Sequence, residues 1–126
     1  MNRKRLMHTA REVLPYIKPE KFCMGTWKCQ TAACAFGHEC MTVEARKAGL
    51  RLVHEGDGDY CPTLGEAEGM KAAAAYYDIS EEDACWLFDP YSYRIPPWGV
   101  GECVTTEEID PAMVVIRIET LLACEA

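Results

Sequence analysis

Helical periodicity in this chain comes in short lengths, three of the five closed by a proline or a glycine, and that punctuation limits the fold more than any other feature. Leu6, Ala10, Val13, Leu14 and Ile17 share one face of a first segment over 4–17. Pro15 should end or kink it, because proline lacks an amide hydrogen and clashes with the carbonyl four residues back. An irregular connection through Pro19-Glu20-Lys21-Phe22 leads to Trp27. Thr31 is then a fitting N-cap for a second helix over 32–48, ended by Gly49. Gly37 inside that helix costs about 1 kcal/mol relative to alanine. A glycine there predicts the close approach of another backbone.

Leu50-Arg51-Leu52-Val53-His54 alternates apolar and polar residues, and Gly56-Asp57-Gly58-Asp59 is a turn signal. With Tyr60-Cys61-Pro62-Thr63-Leu64 it predicts a hairpin, which alone is marginal and must lie on the helices. Ala67, Met70, Ala74 and Tyr77 mark a third helix over 66–77. Ser80-Glu81-Glu82-Asp83 is close to a capping box ahead of a short fourth helix carrying Ala84, Leu87 and Phe88, and Asp89-Pro90 stops it. Asp110-Pro111 pairs an N-cap with a first-turn proline for the last helix, whose stripe is Val114, Val115, Ile118, Leu121 and Leu122. The expected fold is therefore mainly α: one compact helical domain over 1–126, of about five helices, with a small β-hairpin near 50–64. Trp27, Cys34, Phe36, Leu87 and Phe88 are expected in its core.

At 126 residues the chain is long enough to bury such a core without staples. Its net charge of −7 opposes nonspecific phosphate binding, so no direct nucleic-acid partner is expected. No apolar run is of membrane-spanning length. The basic start Met1-Asn2-Arg3-Lys4-Arg5 runs into the amphipathic Leu6-Met7-His8-Thr9-Ala10-Arg11-Glu12, unlike an export signal, which points to a soluble cytoplasmic protein. The eight cysteines are accordingly expected as reduced, mostly buried thiols.

Three of those cysteines and one histidine fall between Trp27 and Cys40. Cys29, Cys34, His38 and Cys40 are candidate metal ligands of zinc type. On a continuous helix Cys34 and His38 share a face, but Cys40 lies about 600° round from Cys34 at roughly 100° per residue, and so points elsewhere. A fourth ligand would have to come from Cys23, Cys61 or His54. The same pair, Cys34 and His38, is the candidate nucleophile and base of a cysteine enzyme, since a thiol in the first helical turn gains thiolate character. No orienting acid or oxyanion site accompanies it. Packed, reduced thiols are the plainer expectation.

Two other features compete for function. Glu55, Asp57, Asp59 and Glu66 match four calcium-loop positions, but Tyr60 stands where that loop needs glycine. A solvated hairpin turn accounts for them. The 90–105 segment combines Tyr91, Tyr93, Arg94, Pro96, Pro97 and Trp98 with glycines. Tyr, Trp and Arg are enriched at interface hot spots, so Tyr91, Tyr93, Arg94 and Trp98 are the candidate binding residues. The alternative is that these rings fold back and close the core. There is no phosphate-cradling loop, and no cofactor is expected.

The chain resembles a family of small proteins encoded by tailed phages, prophages and their bacterial hosts. The resemblance runs from Ile17 through Pro19-Glu20-Lys21-Phe22, Met24-Gly25-Thr26-Trp27, Cys29-Gln30-Thr31-Ala32-Ala33-Cys34-Ala35-Phe36-Gly37-His38 and Gly49-Leu50-Arg51-Leu52. It resumes at Ala72-Ala73-Ala74-Ala75-Tyr76-Tyr77-Asp78-Ile79-Ser80, Leu87-Phe88-Asp89-Pro90 and Pro111-Ala112-Met113-Val114. It brings no chemistry with it. Similar proteins often carry Trp where this chain has His38, which implies a core position rather than a ligand or base. The resemblance implies a phage or mobile-element setting in the bacterial cytoplasm, where small acidic proteins often bind host proteins, defence components included. The expected function is thus non-enzymatic binding of a host protein or sequestration of a small ligand, with dimerisation left open. The rival is the cysteine- or metal-dependent enzyme centred on Cys34 and His38.

Overall fold

The computed structural model describes residues 1–56, 58–94 and 106–124. Among them the chain is mainly α, with six α-helices and a small antiparallel sheet. Helix α1 (Arg3–His8) is capped by Asn2, whose Oδ1 accepts from the Arg5 amide at 3.1 Å. It continues as a π-helical turn, Thr9–Val13, and a 3-10 turn, Leu14–Tyr16. The amide of Leu14 donates to the Thr9 carbonyl, one residue further back than in an α-helix. Pro15 accounts for the irregularity, since it cannot donate to Arg11 and would collide with that carbonyl in a regular turn. Leu6, Ala10 and Leu14 nonetheless stay on one buried face.

The single helix expected over 32–48 is two. Cys34 and not Thr31 is the N-cap of α2 (Ala35–Cys40), in extended backbone conformation. Helix α3 (Val43–Lys47) starts from Thr42, whose Oγ1 accepts from the Ala45 amide at 3.1 Å and donates to the Glu39 carbonyl at 2.8 Å. That side chain restarts the helix in a new direction. The backbone of 21–34 folds back on itself ahead of α2, with the Ala33 amide on the Lys21 carbonyl and the Cys34 amide on the Thr26 carbonyl. A Cβ at Gly37 would overlap the carbonyl of Trp27, so the predicted close approach is real.

Strands β1 (Arg51–His54) and β2 (Tyr60–Leu64) form the expected hairpin, with Val53 opposite Cys61. A third strand, β3 (Ala67–Glu68), extends it, so the sheet has three strands rather than two and the next helix starts later than predicted. Helix α4 (Met70–Tyr77) closes on Asp78 in the left-handed region at φ 53°. Helix α5 (Glu81–Phe88) is capped by Ser80, and α6 (Pro111–Cys124) follows Asp110, whose Oδ1 accepts from the Met113 amide. The centre is aromatic. Phe36 of α2 meets Tyr76 and Tyr77 of α4 and Phe88 of α5 at ring centroids 5.6–6.1 Å apart. Cys34, Leu87 and Phe88 are buried with it, while Trp27 is half-buried at its edge.

Candidate functional site

The cysteine-rich stretch does not assemble a reactive pair. Cys34 is buried with its Sγ turned back on the start of α2, where the Gly37 amide donates to it at 3.4 Å. The helix start was expected to favour thiolate, but burial wins and pushes the thiol from 9.0 up to about 11. His38 uses its Nε2 to donate to the Lys21 carbonyl at 2.7 Å, and its ring stacks on Phe22. Burial lowers its pKa. Cys40 is buried and its thiol is held far above the usual range, first by burial. Cys29 is the exception: hydrogen bonds from the Thr31 hydroxyl and from the Thr31 and Ala32 amides lower its pKa. Seven cysteines lie in the described regions and all are free. Among the described residues no group of three His, Cys, Asp or Glu side chains is placed to hold a metal ion.

Of the four aromatic and cationic side chains expected to form a binding patch, Tyr91 is exposed and Tyr93 is fully buried. The expectation for Tyr93 is therefore corrected. Its hydroxyl donates to the Leu87 carbonyl at 2.7 Å, and its ring lies 3.8 Å from the guanidinium carbon of Arg117, so it closes the core. The Arg94 side chain and Trp98 lie outside the described residues.

The most polar buried feature involves residues that the sequence reading passed over. Glu39 of α2 is 0% exposed. Burying a carboxylate costs several kcal/mol unless donors replace its water. Here three do: His8 Nδ1 at 3.0 and 3.1 Å, Thr9 Oγ1 at 2.7 Å and the Tyr76 hydroxyl at 2.6 Å. With the Thr9 proton on Glu39, the Tyr77 hydroxyl donates to Thr9 Oγ1 at 2.7 Å. Burial, and next the hydrogen bond to Glu39 and its charge, hold the Tyr76 phenol far above its usual pKa, as a standing donor must be. One signal was readable: His38 and Glu39 interrupt an otherwise apolar run from Ala35-Phe36-Gly37 to Cys40.

His8 links this centre to the surface. Its Nε2 faces outward, 3.5 Å from Glu44 and 3.8 Å from Glu12. Above it lies a depression of about 800 Å³ between the first helical segment and α3, lined by Lys4, Arg5, His8, Arg11, Glu12, Glu44, Lys47 and Tyr76 among others. A second depression of about 380 Å³ adjoins it at Glu12, lined by Val13, Tyr16, Ile17, Lys18, Lys21 and His38. Together they take six of the thirteen Lys and Arg residues and two of the twenty acids. An acidic molecule thus carries a basic groove. Arg11 is answered by Glu119 at 2.8 and 3.0 Å. Among the described residues Lys4, Lys18, Lys21 and Lys47 have no carboxylate within 4.0 Å, and Arg5 spends one nitrogen on the Tyr76 carbonyl while its guanidinium lies over that ring.

No protein-family model, curated protein or solved structure matches this chain. Among the described residues no helix is long and apolar enough to cross a membrane.

Proposed function

We propose that this is a non-enzymatic binding protein of the phage or mobile-element type, acting in the bacterial cytoplasm by engaging an anionic partner through the groove above His8. The observation that carries the reading is the charge segregation: unpaired cations gathered on one concave face of a chain with net charge −7. A positive patch in a negative field attracts and orients an acidic partner and repels most others. The preferred partner is a host protein, a defence component being one case. A small anionic ligand is the second reading, favoured by the roughly 800 Å³ of the first depression, which lies within the range of ligand pockets.

The rival enzyme has less to stand on. A nucleophilic thiol needs access and thiolate character, and Cys34 has neither. Its intended base is committed to the Lys21 carbonyl.

The test is affinity capture from host lysate with the wild-type protein and with a Lys4→Glu/Lys47→Glu variant in parallel. The reading expects an acidic host protein retained by the wild type and lost from the variant. Equal capture by both would place binding elsewhere. A thermal shift with small anions such as citrate or a nucleoside diphosphate, absent any host protein, would favour the second reading.

A further inference from the structure

The two depressions adjoin at Glu12 and lie one after the other along the first helical segment. The first helical segment runs from Arg3 to Tyr16 along one wall, about 20 Å at 1.5 Å per residue. His38, Thr42, Glu44 and Lys47, from α2, its link to α3 and α3, stand along the other. The unpaired cations do not converge on a point. Lys4 and Lys47 lie toward one end and Lys18 and Lys21 toward the other, with Glu12 shared between the two depressions. Between them the track is different in kind. Glu12 and Glu44 flank the His8 imidazole, and Val13, Ile17 and the 79% exposed Tyr16 supply apolar surface.

From this layout we infer that the groove is a docking track for an extended segment of a protein, acidic at both ends and apolar between. The inference rests on the binding reading above and names its partner's chemistry. An extended chain advances about 3.3 Å per residue, so about six residues span the track. Acidic side chains at either end meet the lysine pairs, and the central residues meet Tyr16 and Val13 while keeping carboxylates away from Glu12 and Glu44. A compact phosphate would draw on the cations of one depression, whereas the unpaired lysines are divided two and two between both. A nucleic acid strand carries a charge at every residue, including over Glu12 and Glu44, and meets the repulsion of the whole acidic molecule.

The experiment is fluorescence anisotropy with a labelled decapeptide bearing paired glutamates at each end around a Leu-Tyr centre. The controls are the same peptide with lysines for glutamates and a single-stranded oligonucleotide of matched length. The acidic peptide should bind, and its affinity should fall about tenfold between about 50 mM and about 500 mM salt. It should also fall about tenfold in each of two double variants, Lys4→Glu/Lys47→Glu and Lys18→Glu/Lys21→Glu. Lys71→Glu, a reversal off the track, should leave it unchanged, and circular dichroism should show every variant folded. Loss at one lysine pair alone overturns the extended mode, since a compact anion needs one end. Tighter binding of the oligonucleotide overturns the partner class. No peptide binding overturns the inference while leaving the binding reading intact if charge-dependent capture from lysate persists, and failure of both sinks that reading too.

Discussion

At Gly37 two effects of known sign oppose each other. Alanine in a helix interior is worth about 1 kcal/mol over glycine, but here its methyl would overlap the Trp27 carbonyl. Backbone cannot yield as a flexible side chain does, and forced overpacking costs typically 1–3 kcal/mol. Gly37→Ala should therefore destabilise, by about 1 kcal/mol net, measured as a fall in urea midpoint with unchanged slope. Glu39 makes a second single-residue case. Replacing it with alanine strands His8, Thr9 and Tyr76 around a void, and removal of a buried charged partner costs about 3–5 kcal/mol. Glu39→Gln keeps the shape but turns an amide donor toward groups that donate, so about 1–3 kcal/mol is expected. If alanine proved the milder change in chemical denaturation, the hydrogen-bonded centre would not be what holds the first segment to α2. The thiols separate as well. Alkylation near pH 8 followed by peptide mapping should label Cys29 well before Cys34 or Cys40, because Thr31 and the neighbouring amides stabilise the Cys29 thiolate while burial opposes the other two.

Between elements, Arg117 does what no apolar side chain on α6 does. Its Nη1 donates to the Trp86 carbonyl at 2.7 Å and to Ser92 Oγ at 2.8 Å, and its Nη2 to the Ser92 carbonyl at 3.0 Å. The guanidinium carbon lies 4.8 Å from the centre of the Trp86 ring and 3.8 Å from that of Tyr93. It thereby ties α6 to α5 and to the 3-10 turn Pro90–Arg94. Lysine offers one ammonium on a flexible stem in place of a planar fork. Arg117→Lys should cost about 2 kcal/mol and shift Trp86 fluorescence, because three acceptors spread over two elements are not reached from one nitrogen. Arg117 also shows why parts of this fold were hidden in the sequence. A cation inside the last helix's apolar stripe reads as a surface residue until its partners, twenty-five and thirty-one positions away, are known. Signals that act within a few residues were readable: Ser80 and Asp110 as caps, the Gly-rich hairpin turn, the tight approach at Gly37. The restart at Thr42 had such a signal too, a hydroxyl three residues before the Ala45 amide it caps. The groove above His8 had none, since its walls meet only when α2 and α3 turn against the first segment.

For the molecule as a whole, the buried thiols and phenols share one sign. Cys34 is raised to about 11, and Cys40, Tyr76, Tyr77 and Tyr93 are raised as well, burial being the largest cause in each. A folded-state pKa above the unfolded value means that the native state holds its proton more tightly. The stability this represents is fully present below the unfolded value, 9.0 for the thiol, and is lost as pH climbs through the folded one. Cys34 alone, raised from 9.0 to about 11, accounts for about 3 kcal/mol. The protein should thus lose stability steeply between pH 9 and about 11. Net charge offers a competing cause, because a chain at −7 grows more negative as thiols, phenols and lysines titrate. Salt separates the two. Self-repulsion between surface charges is screened when the Debye length drops to about 3 Å in 1 M salt, whereas the cost of charging a buried thiol is not. Denaturation midpoints followed across that pH range should therefore fall almost as steeply in 1 M salt as in dilute buffer, and less steeply in Cys34→Ala at either ionic strength. A pH dependence that vanished in salt would assign the loss to surface repulsion instead.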